Sequence, residues 1–348
     1  MKALLVASIL SLVGSCATSK YSTKIETLNN NVKISDSTTV VTYANTITSE
    51  ELSNHLFKYA SKEFNGRKTG ELGQKKAAEF LKNYYISQEI ISPIKDSVYY
   101  QTIPKSYFYD ETINASENVL AYIKGNEKPE EVVIISAHYD HLGVKDSLIY
   151  YGADDDGSGT VALMEIAQAF KLAKDKGYGP KRSVLFLHLT AEEIGLEGSR
   201  FYTENPIFPL QETMANLNID MIGRIDKIHE EKNQEKYIYL IGADRLSKEL
   251  HILSEKTNKA FINLELDYKY NDLNDKNHYY SRSDHYNFAQ YNIPVIFYFN
   301  GEHEDYHEPT DTPDKINYKV LELRARLVFA TAWQLANRKN RLILNESL

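Results

Sequence analysis

The residues of this chain that could do chemistry are imidazoles and carboxylates gathered at a few points. Ser136-Ala-His-Tyr-Asp-His-Leu-Gly143 carries His138, Asp140 and His141, and an acidic, glycine-rich turn, Gly152-Ala-Asp-Asp-Asp-Gly-Ser-Gly-Thr160, follows it. Farther along stand Glu192 and Glu193, then Asp220, then His303 and His307. Negative charge is tolerated just before a helix, where unpaired N–H groups and the helix dipole favour it. Three adjacent aspartates nevertheless repel one another unless a cation lies among them. Imidazole and carboxylate donors without thiolate suit zinc, with manganese or cobalt as competitors. A His, Asp, Glu, Asp, His set is too large for one tetrahedral ion and natural for two, if a carboxylate bridges them at roughly 3.5–4 Å. A pair of this kind lowers the pKa of a shared water toward ~7 and polarises a carbonyl, which is the chemistry of a hydrolase.

The elements that must position these groups follow from hydrophobic pattern. Residues 132–136 read as a buried strand leading into His138, and Val161, Leu163, Ile166, Ala167 and Phe170 have helical spacing after the acidic turn. Further strands are predicted over 98–103, 118–123, 184–189, 216–221, 237–241 and 294–299. Helices are predicted from Ser49 and over 71–86, 159–173, 198–202, 245–258 and 317–337. Continuous apolar strands interleaved with helices predict a single α/β domain, a mostly parallel mixed sheet with helices on both faces. In such a sheet, sites form outside the carboxyl ends of the strands. His138 and Asp140, Glu192 and Glu193, Asp220, His303 and His307 all stand at predicted strand ends, so one crevice can hold them.

Five segments also carry a family resemblance. His138-Tyr-Asp140, Gly152-Ala-Asp-Asp155, Ala191-Glu-Glu193-Ile-Gly, Asn218-Ile-Asp220 and Tyr306-His307 with Asp311 beyond resemble, in order and spacing, the M28 family of di-zinc aminopeptidases. The resemblance spans about residues 66–337. It implies a zinc-peptidase-like α/β/α sandwich, two Zn2+ ions with Mn2+ or Co2+ as possible substitutes, and peptide substrates with a free N-terminus. It implies His138, Asp155 and Asp220 on one zinc and Asp155, Glu193 and His307 on the other, with Asp155 bridging. Glu192 matches the general base, and Asp140 the carboxylate that orients His138. Successive side chains point in different directions, so Glu193 can face a metal while Glu192 faces the water to be deprotonated. Ser283-Asp-His285 resembles a further segment on the rim of the site, where Tyr280, three residues before the serine, would donate to the oxyanion. Asp154 and Asp156 are expected to act as supports or helix caps. No ligand position matches His141 or His303, and the remaining histidines are read as structural.

The chain has 348 residues, 42% of them hydrophobic and 25% charged, enough for one large α/β domain, and no linker divides it. A net charge of −8 with dispersed acids leaves no clustered basic surface for nucleic acid. An early lysine, an apolar run from Ala3 to Val13 and Val13-Gly-Ser-Cys16 resemble a bacterial lipoprotein signal, so residues 1–16 are read as that signal with Cys16 lipidated. This predicts an exported protein held to a bacterial membrane by its lipid alone, on the periplasmic or cell-surface face. Cys16 is the single cysteine, which excludes an intramolecular disulfide and a thiolate metal site. Residues 17–45 are polar and are read as tether and irregular structure, and 46–348 as the M28-type peptidase domain.

No Gly-x-Ser-x-Gly elbow, phosphate-binding Gly-x4-Gly-Lys or His-Glu-x-x-His helix is read from the chain. Three rival functions are a glutaminyl cyclase, a carboxypeptidase with a basic clamp at Arg200, Arg224 or Arg282, and a silent surface module that binds peptides. The last would be expected to have lost Glu192 or a ligand, and all are present.

Overall fold

The computed structural model describes residues 22–95 and 97–348, so the signal peptide and Cys16 lie outside the described residues. Its strands are β1 (Tyr100–Ile103), β2 (Ser116–Ile123), β3 (Lys128–His138), β4 (Gly143–Lys145), β5 (Leu148–Tyr150), β6 (Arg182–Leu189), β7 (Thr213–Ile219), β8 (Tyr237–Ile241), β9 (Glu265–Asp267) and β10 (Val295–Phe299). β4 and β5 pair only with each other, and the other eight form one sheet in the order β1-β2-β6-β3-β7-β10-β8-β9. The central strands β6, β3, β7 and β10 run parallel, as do β8 and β9. The β1–β2, β2–β6 and β10–β8 pairs are antiparallel. This is the mostly parallel mixed sheet that the apolar strand runs predict.

The helices are α1 (22–31), α2 (Ser37–Ala44), α3 (Ser49–Tyr59), α4 (Leu72–Ser87), α5 (Gly159–Asp175), α6 (Glu197–Glu204), α7 (Lys227–Glu231), α8 (Lys248–Phe261), α9 (His285–Ala289) and α10 (Tyr318–Asn337). Side chains alternate across a strand, and the sheet buries both alternating sets. Val133, Ile135, Ala137, Phe186 and Leu217 share a cluster with Ile166 and Phe170 of α5 and Val328 and Trp333 of α10. Val132, Ile134, Leu185 and Leu187 pack on the other face with Tyr202 of α6 and Phe288 of α9. Among the described residues, no helix is long and apolar enough to cross a membrane.

The reading of 17–45 as tether and irregular structure is corrected over the described part of that stretch. α1 and α2 form there, and Leu28, Val32, Val40, Tyr43 and Ala44 are buried. The polar composition hides a few apolar residues at helical spacing, whose partners lie at the other end of the sequence. Tyr43 stacks on Trp333 at 6.4 Å between ring centroids, and Lys256 Nζ donates to the Val32 carbonyl at 2.9 Å. Each buried large apolar side chain contributes about 1.5–3 kcal/mol, enough to override weak local propensity.

The register of the parallel strands sets up the site. His138 at the end of β3 lies opposite Leu189 at the end of β6, Ala137 opposite Ile219 of β7, and Ile219 opposite Tyr298 of β10. Four carboxyl ends therefore finish side by side.

Candidate active site

His138 is the last residue of β3, and Asp220 follows β7 directly. Glu192 and Glu193 come shortly after β6, and His307 lies on the loop beyond β10. Ala191 and Met221, beside Glu192 and Asp220, and His307 itself take left-handed φ values of 60°, 60° and 58°. Such backbone is costly for residues with a Cβ and gathers at functional sites. Asp155 sits in the irregular turn Ala153–Ser158 that opens α5, and its peptide bond to Asp156 is cis. Gly152 begins this turn at φ 52°, where a Cβ would stand 2.2 Å from the Asp155 carbonyl oxygen and 2.5 Å from the His141 ring. No other residue type fits there.

Asp155 is the centre. His138 Nε2 lies 3.1 Å from its Oδ1 and 3.5 Å from Asp220 Oδ1. His307 Nε2 lies 3.1 Å from Asp155 Oδ2 and 3.2 Å from Glu193 Oε2. All five predicted ligands thus converge, two on each side of the shared Asp155 carboxylate. Asp140 lies beside His138, with its backbone carbonyl 3.2 Å and its carboxylate 3.6 Å from Nδ1. Its oxygens also accept from Thr69 Oγ1 at 2.6 Å and from the Glu192 backbone N–H at 3.2 Å. Asp154 and Asp156 act as supports too. Asp156 accepts from the N–H groups of Gly159 and Met221, capping α5, and Asp154 accepts from Gly223 N–H. Asp311 accepts from the backbone N–H groups of Asp154 and Asp155 at 2.9 and 3.2 Å.

Electrostatics divides the acids. Burial opposes the charge on Asp155, yet His138 and His307 hold its carboxyl well below the usual range. Burial also pushes Glu192 well above that range; His138 opposes this, while Asp220, Glu193 and Asp284 add to it. A buried carboxyl that gains a proton readily is suited to general base work. For His307, burial works against the charged ring, but Asp155 and Glu193 raise its pKa to about 10.

The donor set fits a metal pair. Asp155 Oδ2 is buried and accepts no well-formed hydrogen bond, although His307 stands beside it. Ring nitrogens and carboxylate oxygens converge within ligand distance in two groups, His138, Asp155, Asp220 and His141, Asp155, Glu193. Oxygen and nitrogen lone pairs pointing at one another call for cations, and a set without sulfur fits zinc, manganese or cobalt.

Several residues depart from the sequence reading. Tyr280 is corrected: its ring lies under Arg245, 3.9 Å from the guanidinium carbon, packs on Gly242 and Tyr286, and is not among the residues lining the cleft. Its neighbour Tyr279 lines the cleft instead, with Phe297, Phe299 and Tyr306. The cleft lies above Asp155, Glu192, Asp220 and His307, and Arg282 and Glu302 also line it, paired at 3.1 Å. The letters His-Glu-x-x-His do occur, at His303-Glu-Asp-Tyr-His307. They form turns rather than a helix, so the imidazoles part: His303 Nε2 lies 3.2 Å from Asp154 Oδ2, while His307 faces Asp155 and Glu193. His141, given no ligand position, is buried with Nδ1 2.6 Å from Glu193 Oε1.

Two supports take roles that the sequence reading does not assign them. Buried Arg67 donates to the carbonyls of Tyr139, Tyr151 and Gly152 at 3.0, 2.8 and 2.8 Å, tying together the two segments that carry His138 and Asp155. It follows Gly66, whose φ of 65° and contact with the Gly143 and Tyr150 carbonyls leave no room for a Cβ. Ser283 donates to Asp220 Oδ2 at 2.6 Å and accepts from Asn218 Nδ2 at 2.8 Å.

With this geometry in place, comparison with known proteins is informative. The family model described as Peptidase family M28 matches residues 118–332, more than half of the chain. A probable zinc metalloprotease of Pyricularia oryzae is 28% identical over 259 residues, 63% of this chain and 50% of that protein. The probable glutamate carboxypeptidase LAMP1 of Arabidopsis thaliana is 36% identical over 116 residues, 33% of this chain and 16% of that protein. The chain thus spans half or less of the length of these relatives. Among solved structures, LapA of Legionella pneumophila is similar with a TM-score of 0.69 at 22% identity, over 88% of this chain and 78% of that one. BSAP, a zinc aminopeptidase from Bacillus subtilis, gives 0.64 at 15% identity over 85% and 97%. The glutaminyl cyclase of Bacteroides thetaiotaomicron gives 0.62 at 16% over 82% and 98%. At such identities these structures speak for the fold, which peptidases and a cyclase share. The family model carries the assignment: the chain belongs to peptidase family M28.

Proposed function

We propose that the chain is a metallo-aminopeptidase that removes N-terminal residues from peptides at two zinc ions, with Mn2+ or Co2+ as substitutes. The observation that most supports this reading is the double-sided Asp155, one oxygen facing His138 and the other His307. His138, Asp155 and Asp220 would hold one ion, and Asp155, Glu193 and His307 the other. When bound, such a pair supplies Lewis acidity that acidifies water and polarises the scissile carbonyl. Glu192 takes the proton from the attacking water and passes it to the leaving amine. Asp140 keeps the His138 ring and the Glu192 backbone in place. The surplus of acids around the cleft favours a substrate's free α-ammonium group. Phe297, Phe299, Tyr279 and Tyr306 favour a large apolar or aromatic first side chain. Export with a lipid on Cys16 belongs to this reading through the sequence of the first residues alone.

Arg282 in the cleft favours a second reading, a carboxypeptidase that grips a terminal carboxylate, although Glu302 already pairs with this guanidinium. A panel of aminoacyl-p-nitroanilides, C-terminal dipeptides and a glutaminyl peptide separates the possibilities. Expected is release from aromatic and leucyl anilides, abolished by chelation. Glu192→Gln should lower kcat by about 10²–10⁴-fold with metal content unchanged. Cleavage of the dipeptides alone, cyclisation of the glutaminyl peptide alone, or turnover that survives the loss of Glu192 overturns the proposal.

A further inference from the structure

His141 is the residue near the site that neither the ligand set nor the general base accounts for. Its side chain is fully buried, and Nδ1 lies 2.6 Å from Glu193 Oε1. That separation is a hydrogen bond, shorter than two ligands of one tetrahedral ion would stand from each other. An ionised carboxylate only accepts, so the proton is on His141 Nδ1. Glu193 is thereby divided: Oε1 is occupied by His141, while Oε2 faces His307 Nε2 at 3.2 Å. The ring cannot readily drift from this pose. Gly152 packs on its edge, where a Cβ would come within 2.5 Å of Cγ and Cδ2, and the His141 backbone N–H donates to the Arg67 carbonyl at 3.2 Å.

We infer that His141 is a positioning residue that holds Glu193 as a one-oxygen ligand, donating Nδ1–H to Oε1 so that only Oε2 is presented toward Asp155 and His307. This rests on the two-ion reading of the site. Without the donor, Glu193 could turn or offer both oxygens, which would fill a coordination position needed by substrate and weaken the ion on that side. Partners of this kind typically change metal affinity by about 10–100-fold.

The test is Co2+ titration of the metal-stripped full chain, read by visible absorption and by ions bound per chain. His141→Phe keeps a ring and removes the donor, and His141→Gln restores an N–H. Expected are two ions on the wild type, about 10–100-fold weaker binding of one of them in His141→Phe with an altered spectrum, and substantial recovery in His141→Gln. Wild-type binding and spectrum in His141→Phe overturn the inference. Loss in both variants also overturns it, in favour of the imidazole as a direct ligand. A wild type that takes up no ion overturns the metal reading itself and this inference with it. Thermal unfolding of the stripped variants separates loss of metal from loss of fold.

Discussion

The two sides of Asp155 are built by different means. On the Oδ1 side, His138 ends β3 and Asp220 follows β7, two adjacent central strands, and the His138 side chain is 1% exposed. On the Oδ2 side, Glu193 and His307 stand on loops, and His307 is 39% exposed with a left-handed φ of 58°. The first side is an extension of the sheet, fixed by the same register that buries Val132 to Ala137. The second is held by side chains: His141 on Glu193, Asp311 on the turn. Strand-borne ligands come with the fold, whereas loop-borne ligands need their own supports. Mutations should therefore act on folding and metal together on the first side, and on the second chiefly on metal, with only a pH-dependent share of the stability.

The largest effect is expected where the two sides meet. Asp155→Asn removes the charge they share, so both ions should be lost together and activity should fall by more than the about 10–100-fold typical of a supporting residue. Metal content per chain, measured beside turnover, decides this. An Asp155→Asn chain that keeps one ion at full affinity would mean that the sides are independent sites rather than halves of one.

His307 sharpens the contrast. In metal-stripped protein, burial opposes its proton, but Asp155 and Glu193 raise its pKa to about 10, above the about 6.5 of an unfolded histidine. A folded value above the unfolded one contributes stability in full below pH ~6.5, and that stability is lost as pH rises through about 10. His307→Gln should abolish that part of the decline, visible as a smaller difference between urea midpoints at pH 6 and pH 10, and should cost the loaded protein one ion. His138→Gln should also destabilise the stripped protein, because it leaves Asp155 and Asp220 buried with a weaker partner, at a cost of about 1–3 kcal/mol.

The same contrast explains what the sequence made legible. His138, Asp140, Glu192, Glu193 and Asp220 stand at the ends of apolar runs, and a continuous apolar run with a defined end locates such residues without a structure. Where backbone runs through turns, the pattern carries no direction. Tyr279 and Tyr280 are adjacent, and which one faces the cleft is set by a short 3₁₀ turn after His278, whose φ is 56°. His141 acquires its contact with Glu193 from a residue 52 positions away. His303 and His307 share the spacing of a helical metal motif, yet five residues in turns send them to different aspartates. α1 and α2 were hidden for a related reason: their buried residues answer to Trp333 and its surroundings, and a polar composition outweighed them.

The smallest effect is expected at the support of the strand-borne side. Ser283 Oγ donates to Asp220 Oδ2 at 2.6 Å, and accepts from Asn218 Nδ2, whose Oδ1 in turn accepts from Ser136 Oγ at 2.7 Å. This buried relay fixes the Asp220 oxygen that does not face His138. Ser283→Ala removes one donor to an ionised group, a bond worth about 1.5–3 kcal/mol, and strands the Asn218 amide. If strand geometry alone positions Asp220, metal affinity should fall by no more than about tenfold, with the remaining cost appearing as lost stability of the stripped protein. That division follows because Asp220 is anchored by β7 itself, whereas Glu193 relies on His141. A larger loss of affinity in Ser283→Ala than in His141→Phe would reverse the comparison and place the weaker scaffold on the strand side.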